Sequence, residues 1–136
     1  THMEYQTWDT LSKIWLHQSK NIYSDSTSIF QLWQNNQWLN VERSTRTYDD
    51  NHFLVKELDE TWHTNSWSNS NKTVYTNNIA GKPYQVIYKQ WNAEKAQWIN
   101  QTRFTYFYIP GCTFPIAITN INNKIQLALN AMHSSQ

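Results

Sequence analysis

Glu57, Asp59 and Glu60 form the densest group of acids in the chain, and a pair of carboxylates is what glycoside cleavage requires. On an extended chain Glu57 and Asp59 share one strand face about 7 Å apart. Nothing in the surrounding sequence marks a cleft around them, and a charged sheet edge that deters aggregation is the commoner use of such acids. Asp49, Asp50 and Asn51 make an oxygen-rich turn of the kind calcium favours. The matching stretch Tyr75-Thr76-Asn77-Asn78 supplies no carboxylate, so turn capping is the better reading. Cys112 stands beside a Pro-Gly turn and reads as a small, partly buried residue; a nucleophilic role would need a histidine and an acid to converge on it. His17, His52, His63 and His133 are scattered, with no pair at ligand spacing, and read as exposed loop or sheet residues. A single cysteine excludes an intrachain disulfide framework, and 2 glycines exclude a Gly-rich nucleotide cradle. These residues predict no catalytic centre, no metal site and no cofactor.

The tryptophans are the serious candidates. Exposed indoles in a row make platforms for sugar rings, with flanking amides as hydrogen-bond partners. Trp33, Trp38, Trp62, Trp67, Trp91 and Trp98, with Asn40, Asn69 and Asn100, are the candidate ligand-binding set. The competing reading makes the same indoles the packing material of the fold.

What must position them is a repeat. All 8 tryptophans fall into four pairs: Trp8 and Trp15, Trp33 and Trp38, Trp62 and Trp67, Trp91 and Trp98. After the second Trp of each pair comes a common string: WLHQSKNIY, WLNVERSTRTY, WSNSNKTVY and WINQTRFTY. Asn40, Asn69 and Asn100 stand two places after Trp, with His17 in that place in the first unit. A base stands five places after it in all four: Lys20, Arg43, Lys72 and Arg103. Then comes Tyr23, Tyr48, Tyr75 or Tyr106. One template obeyed four times at about 29 residues identifies a tandem repeat.

Each unit has room for two strands and two turns. Gln34–Gln37 and His63–Ser66 read as four-residue hairpin loops, and Asn92–Gln97 as a six-residue version. Such loops place Trp33 opposite Trp38 and Trp62 opposite Trp67, in cross-strand pairs worth roughly 0.5–1.5 kcal/mol each beyond their area. Three-residue turns at Asp49–Asn51 and Asn78–Ala80 would then set Trp38 opposite Trp62 and Trp67 opposite Trp91, lining the indoles into one row. The basic column falls on alternate strands, where its stems can cover aromatic surface with a modest cation–π gain. Neither face of the strands is cleanly polar, so the sheet is either exposed on both sides or curled.

Composition agrees with this reading. With 8 Trp, 8 Tyr and 16 Asn, and few Leu or Ala, the chain favours strands over helices. The predicted fold is all-β, an antiparallel meander of about four hairpin repeats, as an open twisted sheet with a closed up-and-down barrel as the alternative. A formal charge of +1 argues against nucleic acid or an anionic membrane as the main partner, and no apolar run is long enough to span a bilayer. Residues 1–3 look like a cloning scar and are left out of the fold argument, 4–109 form the repeat array, and 110–136 a C-terminal cap or linker. Within that last segment Ile116–Thr119 is strand-like, Asn120–Asn123 turn-like, and Lys124–Met132 ambiguous between strand and helix.

The string W-x-x-x-x-W-x-N-x-x-[RK]-x-x-Y, followed by an Asp or Asn turn, resembles the aromatic tandem repeats of secreted and cell-surface proteins of bacteria that use type IX secretion. More distantly it is similar to tyrosine-aspartate repeats. The closest unit is Trp33–Asn51, with Tyr48-Asp49 as the Tyr-Asp pair, and the chain lacks the turn glycine that family places in each unit. The resemblance implies a secreted or surface location and a module for adhesion or display. A carbohydrate-binding module using the Trp row, or a small ligand-binding barrel, are the alternatives. Asp9-Thr10-Leu11 and Asp25-Ser26-Thr27 resemble the O-glycosylation sequons of such bacteria. Glycans or a surface protein are the implied partners, and the free edges of an open sheet leave room for edge-to-edge self-association.

Overall fold

In the computed structural model, residues 1–108, 116–121 and 124–128 are described. The strands are β1 (His2–Asp9), β2 (Ile14–Tyr23), β3 (Thr27–Gln34), β4 (Gln37–Tyr48), β5 (Leu54–His63), β6 (Ser66–Asn77), β7 (Pro83–Asn92), β8 (Gln97–Phe107), β9 (Ile116–Ile121) and β10 (Lys124–Ala128). They follow one another in the sheet in sequence order, and the order is linear, with β1 and β10 at its two ends. The fold is an open antiparallel meander, and the barrel alternative falls away.

The chain divides into two compact units. Unit 1 comprises Thr1–Thr47 and Glu57–Ser70; unit 2 comprises Tyr48–Lys56 and Asn71–Gln136. In unit 1, β1 to β4 pair in succession, with Trp8 opposite Trp15 and Trp33 opposite Trp38. In unit 2, β7 pairs with the Asn71–Asn77 part of β6 and with β8, where Trp91 faces Trp98.

The hairpin loops at the Trp end are shorter than expected. Gln34 pairs with Gln37, so the turn is the two residues Asn35 and Asn36, both at positive φ (50° and 59°). Thr64 and Asn65 repeat this at 43° and 67°. These are the left-handed dipeptides whose twist matches that of the strands, and Asn tolerates them best after Gly. In the fourth hairpin Asn92 pairs with Gln97, leaving a four-residue loop rather than six.

The opposite turns are longer than expected, at five residues each. Asp49 Oδ1 accepts the amides of Asn51 and Phe53, each at 2.9 Å. Asn78 Oδ1 accepts those of Ala80 (2.9 Å) and Lys82 (3.1 Å), 29 residues later. Asp49 is thus a turn cap, and the same geometry is built with an amide in its place. The left-handed position of this loop is His52 in one copy and Gly81 in the other. At Gly81 a side chain would also collide with the Phe53 ring, so one repeat does carry a turn glycine that has no freedom to change.

One shared irregularity escapes a reading of residue types. A β-bulge falls three places after the second Trp in three hairpins, at Gln18, Val41 and Gln101. A bulge sets two residues of one strand against one of its partner and so reverses the alternation of faces beyond it. The base five places after Trp, which strict alternation would put on the far face, returns to the face of the indoles.

Burial is slight on both faces. Among the described residues Val86, at 3% exposure, is the buried hydrophobic residue and Thr73 the buried polar one. Both lie on the face opposite the indoles, near the Tyr88–Phe104 edge-to-face contact at 5.7 Å. Tyr106 packs on Phe104 there, and burial pushes its hydroxyl above the usual tyrosine range.

His2 and Met3, expected to stand outside the fold, extend β1 and pair with Ile22 and Asn21. Strand pairing is a main-chain interaction and is indifferent to their side chains. Ile116–Ile121 continues the sheet on β8, and Lys124–Ala128 resolves as a strand. Cys112, the Pro-Gly turn and His133 lie outside the described residues.

Candidate functional site

The face that carries the indoles is built from three template positions: the Trp pair, the residue two places on, and the base five places on. The four doublets are alike, with ring centroids 5.3, 5.0, 4.9 and 5.1 Å apart and planes inclined by 61–68°. This edge-to-face arrangement sets the positive ring edge on the negative face of its partner. It follows from placing each pair one position back from its turn, where the side chains stand side by side.

The doublets do not line up in a row. Asn71 pairs with Gln90, whereas setting Trp67 opposite Trp91 would have required Ile87. Arg43 Nε donates to Glu60 at 2.7 Å and Arg46 Nε to Glu57 at 2.9 Å. A Trp38–Trp62 pairing would instead have set Arg43 level with Glu57. The slip is three residues in each case, because the turns capped by Asp49 and Asn78 hold five residues where three were expected.

The slip has a use. It brings the basic residue of one repeat over the second indole of the next. Lys20 Nζ sits 4.5 Å from the ring centroid of Trp38, the Arg43 guanidinium 4.7 Å from Trp67, and Lys72 Nζ 4.2 Å from Trp98. Each such contact is worth about 0.5–1 kcal/mol where water still reaches it, and more where it does not. Arg43 is further held between Trp67 and the largely buried carboxylate of Glu60. The acids Glu57 and Glu60 are therefore engaged by arginines.

His17 is no degenerate Asn. Its ring lies 4.8 Å from Trp33 and 5.5 Å from Trp38, wedging into the second doublet. Its Nδ1 meets the Glu4 carboxylate, and Gln6 Nε2 donates to the same carboxylate at 2.7 Å. The hydrogen bond from Gln6, and then that from His17, hold Glu4 below the ordinary carboxylate range. His52 and His63 are exposed, as expected.

The candidate residues thus fall into two classes. Trp33, Trp38, Trp62, Trp67, Trp91 and Trp98 are half-buried, each against its doublet partner. Asn40 accepts a hydrogen bond from Gln31 at 2.6 Å, Asn69 is half-buried, and Asn100 is exposed and pairs with Lys89. The doublet left out of the candidate set is the exposed one. Trp8 is 43% and Trp15 60% exposed, and among the described residues no cation lies over either ring. Nothing in its string marks it out, since exposure depends on what a neighbouring strand lays over the rings.

Among the described residues the sheet offers shallow depressions rather than a cleft. One, lined by Asp49, Phe53, Val55, Tyr75 and Asn77 among others, lies by the capped turns of unit 2. Among the described residues no three of His, Cys, Asp and Glu gather to hold a metal ion, and no helix is long and apolar enough to cross a membrane.

No family model matches the chain, and no curated protein does. Among solved structures it is similar to a protein of unknown function from Bacteroides fragilis, with a TM-score of 0.61 and 14% identity over 98% of this chain and 93% of that one. A DUF3836 family protein from Bacteroides vulgatus gives 0.48 and 15% identity over 71% of this chain and 89% of that one. Another from Parabacteroides distasonis gives 0.46 and 11%, over 73% and 89%. The first likeness is one of fold.

Proposed function

We propose that this chain is a non-enzymatic β-repeat module of a secreted or cell-surface protein, whose sheet face serves adhesion or display. The observation that carries this reading is the fate of the recurring template. Trp doublets, bulges and basic residues are used on one another, from repeat to repeat, and two of the three clustered acids, Glu60 and Glu57, are tied to Arg43 and Arg46. A template spent on its own cohesion leaves an open sheet face, and open faces bind by area. Beads coated with the chain and washed over immobilised polysaccharides and mucin-type glycoprotein test it. Retention of the beads with no new reducing ends is the expected result. Release of reducing ends, or no retention on any coating, overturns it.

A second reading, carbohydrate binding by indoles, is favoured by the exposed Trp8–Trp15 doublet rather than by the six half-buried tryptophans. Its open ring faces have the size and polarity that sugar rings stack on. Trp15→Ala should then abolish quenching of indole fluorescence by a neutral oligosaccharide while the chain stays folded by circular dichroism. Quenching that survives in Trp15→Ala counts against it.

A further inference from the structure

Each basic residue of the template looks across at one position of the next strand, and these positions differ in a telling way. Lys20 pairs with Gln31, Arg43 meets Glu60, and Lys72 pairs with Lys89. Residues 31, 60 and 89 are the same template position at intervals of 29. The first is neutral, the second neutralises its partner, and the third repels it. Like charges directly opposite on a sheet are destabilising, so the third repeat bears a cost that the other two avoid.

Other charges deepen the contrast. Lys56 of β5 adds a third positive charge near Lys72, and among the described residues no carboxylate is ion-paired with Lys56, Lys72 or Lys89. All three side chains are half-buried. Desolvation first, then the charges of Lys89 and Lys56, draw Lys72 below the ordinary lysine range. The carboxylates of unit 2 are Asp49, Asp50 and Glu94, against seven Lys and Arg; unit 1 has four Lys and Arg against seven carboxylates. The near-zero total charge hides an excess of four positive charges in unit 2.

We propose that Lys56, Lys72 and Lys89 bind the carboxylate or sulfate groups of an acidic polysaccharide, with Asn100 beside them for the sugar's hydroxyls. The inference rests on the reading of this sheet as a binding surface and names its ligand class. The cations come from three successive strands, about 4.8 Å apart in the sheet, on an open face. Nothing encloses a single small oxyanion there, whereas a polymer with an anion on successive sugars gains from meeting several ammonium groups at once. Asn100, the register partner of Lys89, is exposed on the same face.

Calorimetric titration of the whole chain with oligogalacturonate and dextran sulfate tests the site, with dextran as the uncharged control. Both anionic probes should bind and dextran should not, with affinity falling as salt rises. Lys89→Glu recreates the arrangement of Arg43 and Glu60. It should cost at least tenfold in affinity without lowering the melting temperature. Lys89→Gln, the residue of the first repeat, should lose less and carries the test if the first variant does not fold. Lys95→Glu, an equal charge change in the exposed 93–96 loop, should stay within twofold of the parent. The proposal is overturned if Lys89→Glu binds like the parent or if Lys95→Glu loses as much. Displacement by inorganic sulfate at equal anion concentration, or tighter binding of single-stranded nucleic acid, overturns it as well. Adhesion and this site fail separately. Coated beads that do not adhere, with soluble titration intact, refute adhesion alone; beads that adhere equally with Lys89→Glu refute the site alone.

Discussion

The doublets Trp8–Trp15 and Trp33–Trp38 have nearly the same internal geometry, at 5.3 and 5.0 Å between centroids, and opposite surroundings. The second is wedged by His17 and covered by Lys20, both on the preceding hairpin. The first lies on β1 and β2, at the end of the strand order, and stands open. An indole pair is therefore not structural or functional by its sequence. What the neighbouring repeat lays over it decides, and the same template yields a packing element in one place and an accessible ring surface in another.

Truncation separates the two most widely. Trp38→Ala removes the doublet contact together with the platform under Lys20, and should cost about 2 kcal/mol, below the range for fully buried aromatics because the ring is half-exposed. Trp15→Ala should cost under about 1 kcal/mol. Urea unfolding followed by circular dichroism checks both, and equal losses would erase the distinction. His17→Ala comes next, at about 1 kcal/mol, since it empties the wedge between Trp33 and Trp38. His17→Asn, the template residue, should recover part of this, and no recovery would mean the ring is incidental. Lys20→Met keeps the stem and deletes the charge, so a loss of about 0.5 kcal/mol isolates the cation–π share. A neutral result assigns the contact to the stem alone.

The smallest effect is in pH. Glu4 is held below its ordinary value in the folded chain, so its contribution is fully present above about pH 4.5 and is lost as pH falls through the lower folded value. Glu4→Gln should flatten the melting-temperature profile below pH 4.5 and leave it unchanged at neutral pH. A profile identical to the parent's would show that the link among Glu4, Gln6 and His17 is not made in solution.

The doublets, the meander and the basic column were legible because they rest on residue types that recur at a fixed interval. Trp and Tyr are rare enough that four matching strings carry register within each hairpin. Register between hairpins was not legible, since it depends on how many residues a capped turn holds. Asp49 and Asn78 each gather amides as far as four residues on, which spacing alone does not reveal. The bulges were hidden for a related reason: Gln18, Val41 and Gln101 share no property that marks an inserted residue. The row of six indoles failed on that three-residue slip, and Trp8 and Trp15 were passed over because exposure belongs to position in the sheet and not to the string. Lys89 was equally silent, for its meaning lies in which residue faces it.

That Val86 and Thr73 are, among the described residues, the ones that water barely reaches has a thermodynamic consequence. The heat capacity of unfolding and the denaturant slope both scale with surface newly exposed to solvent, and here much of that surface is wetted already. Calorimetry should give a heat-capacity increment below the usual value of about 12–15 cal/mol/K per residue. Stability would then change little with temperature across a broad range, as suits a sheet whose strength lies in ring contacts and main-chain pairing more than in a dry interior.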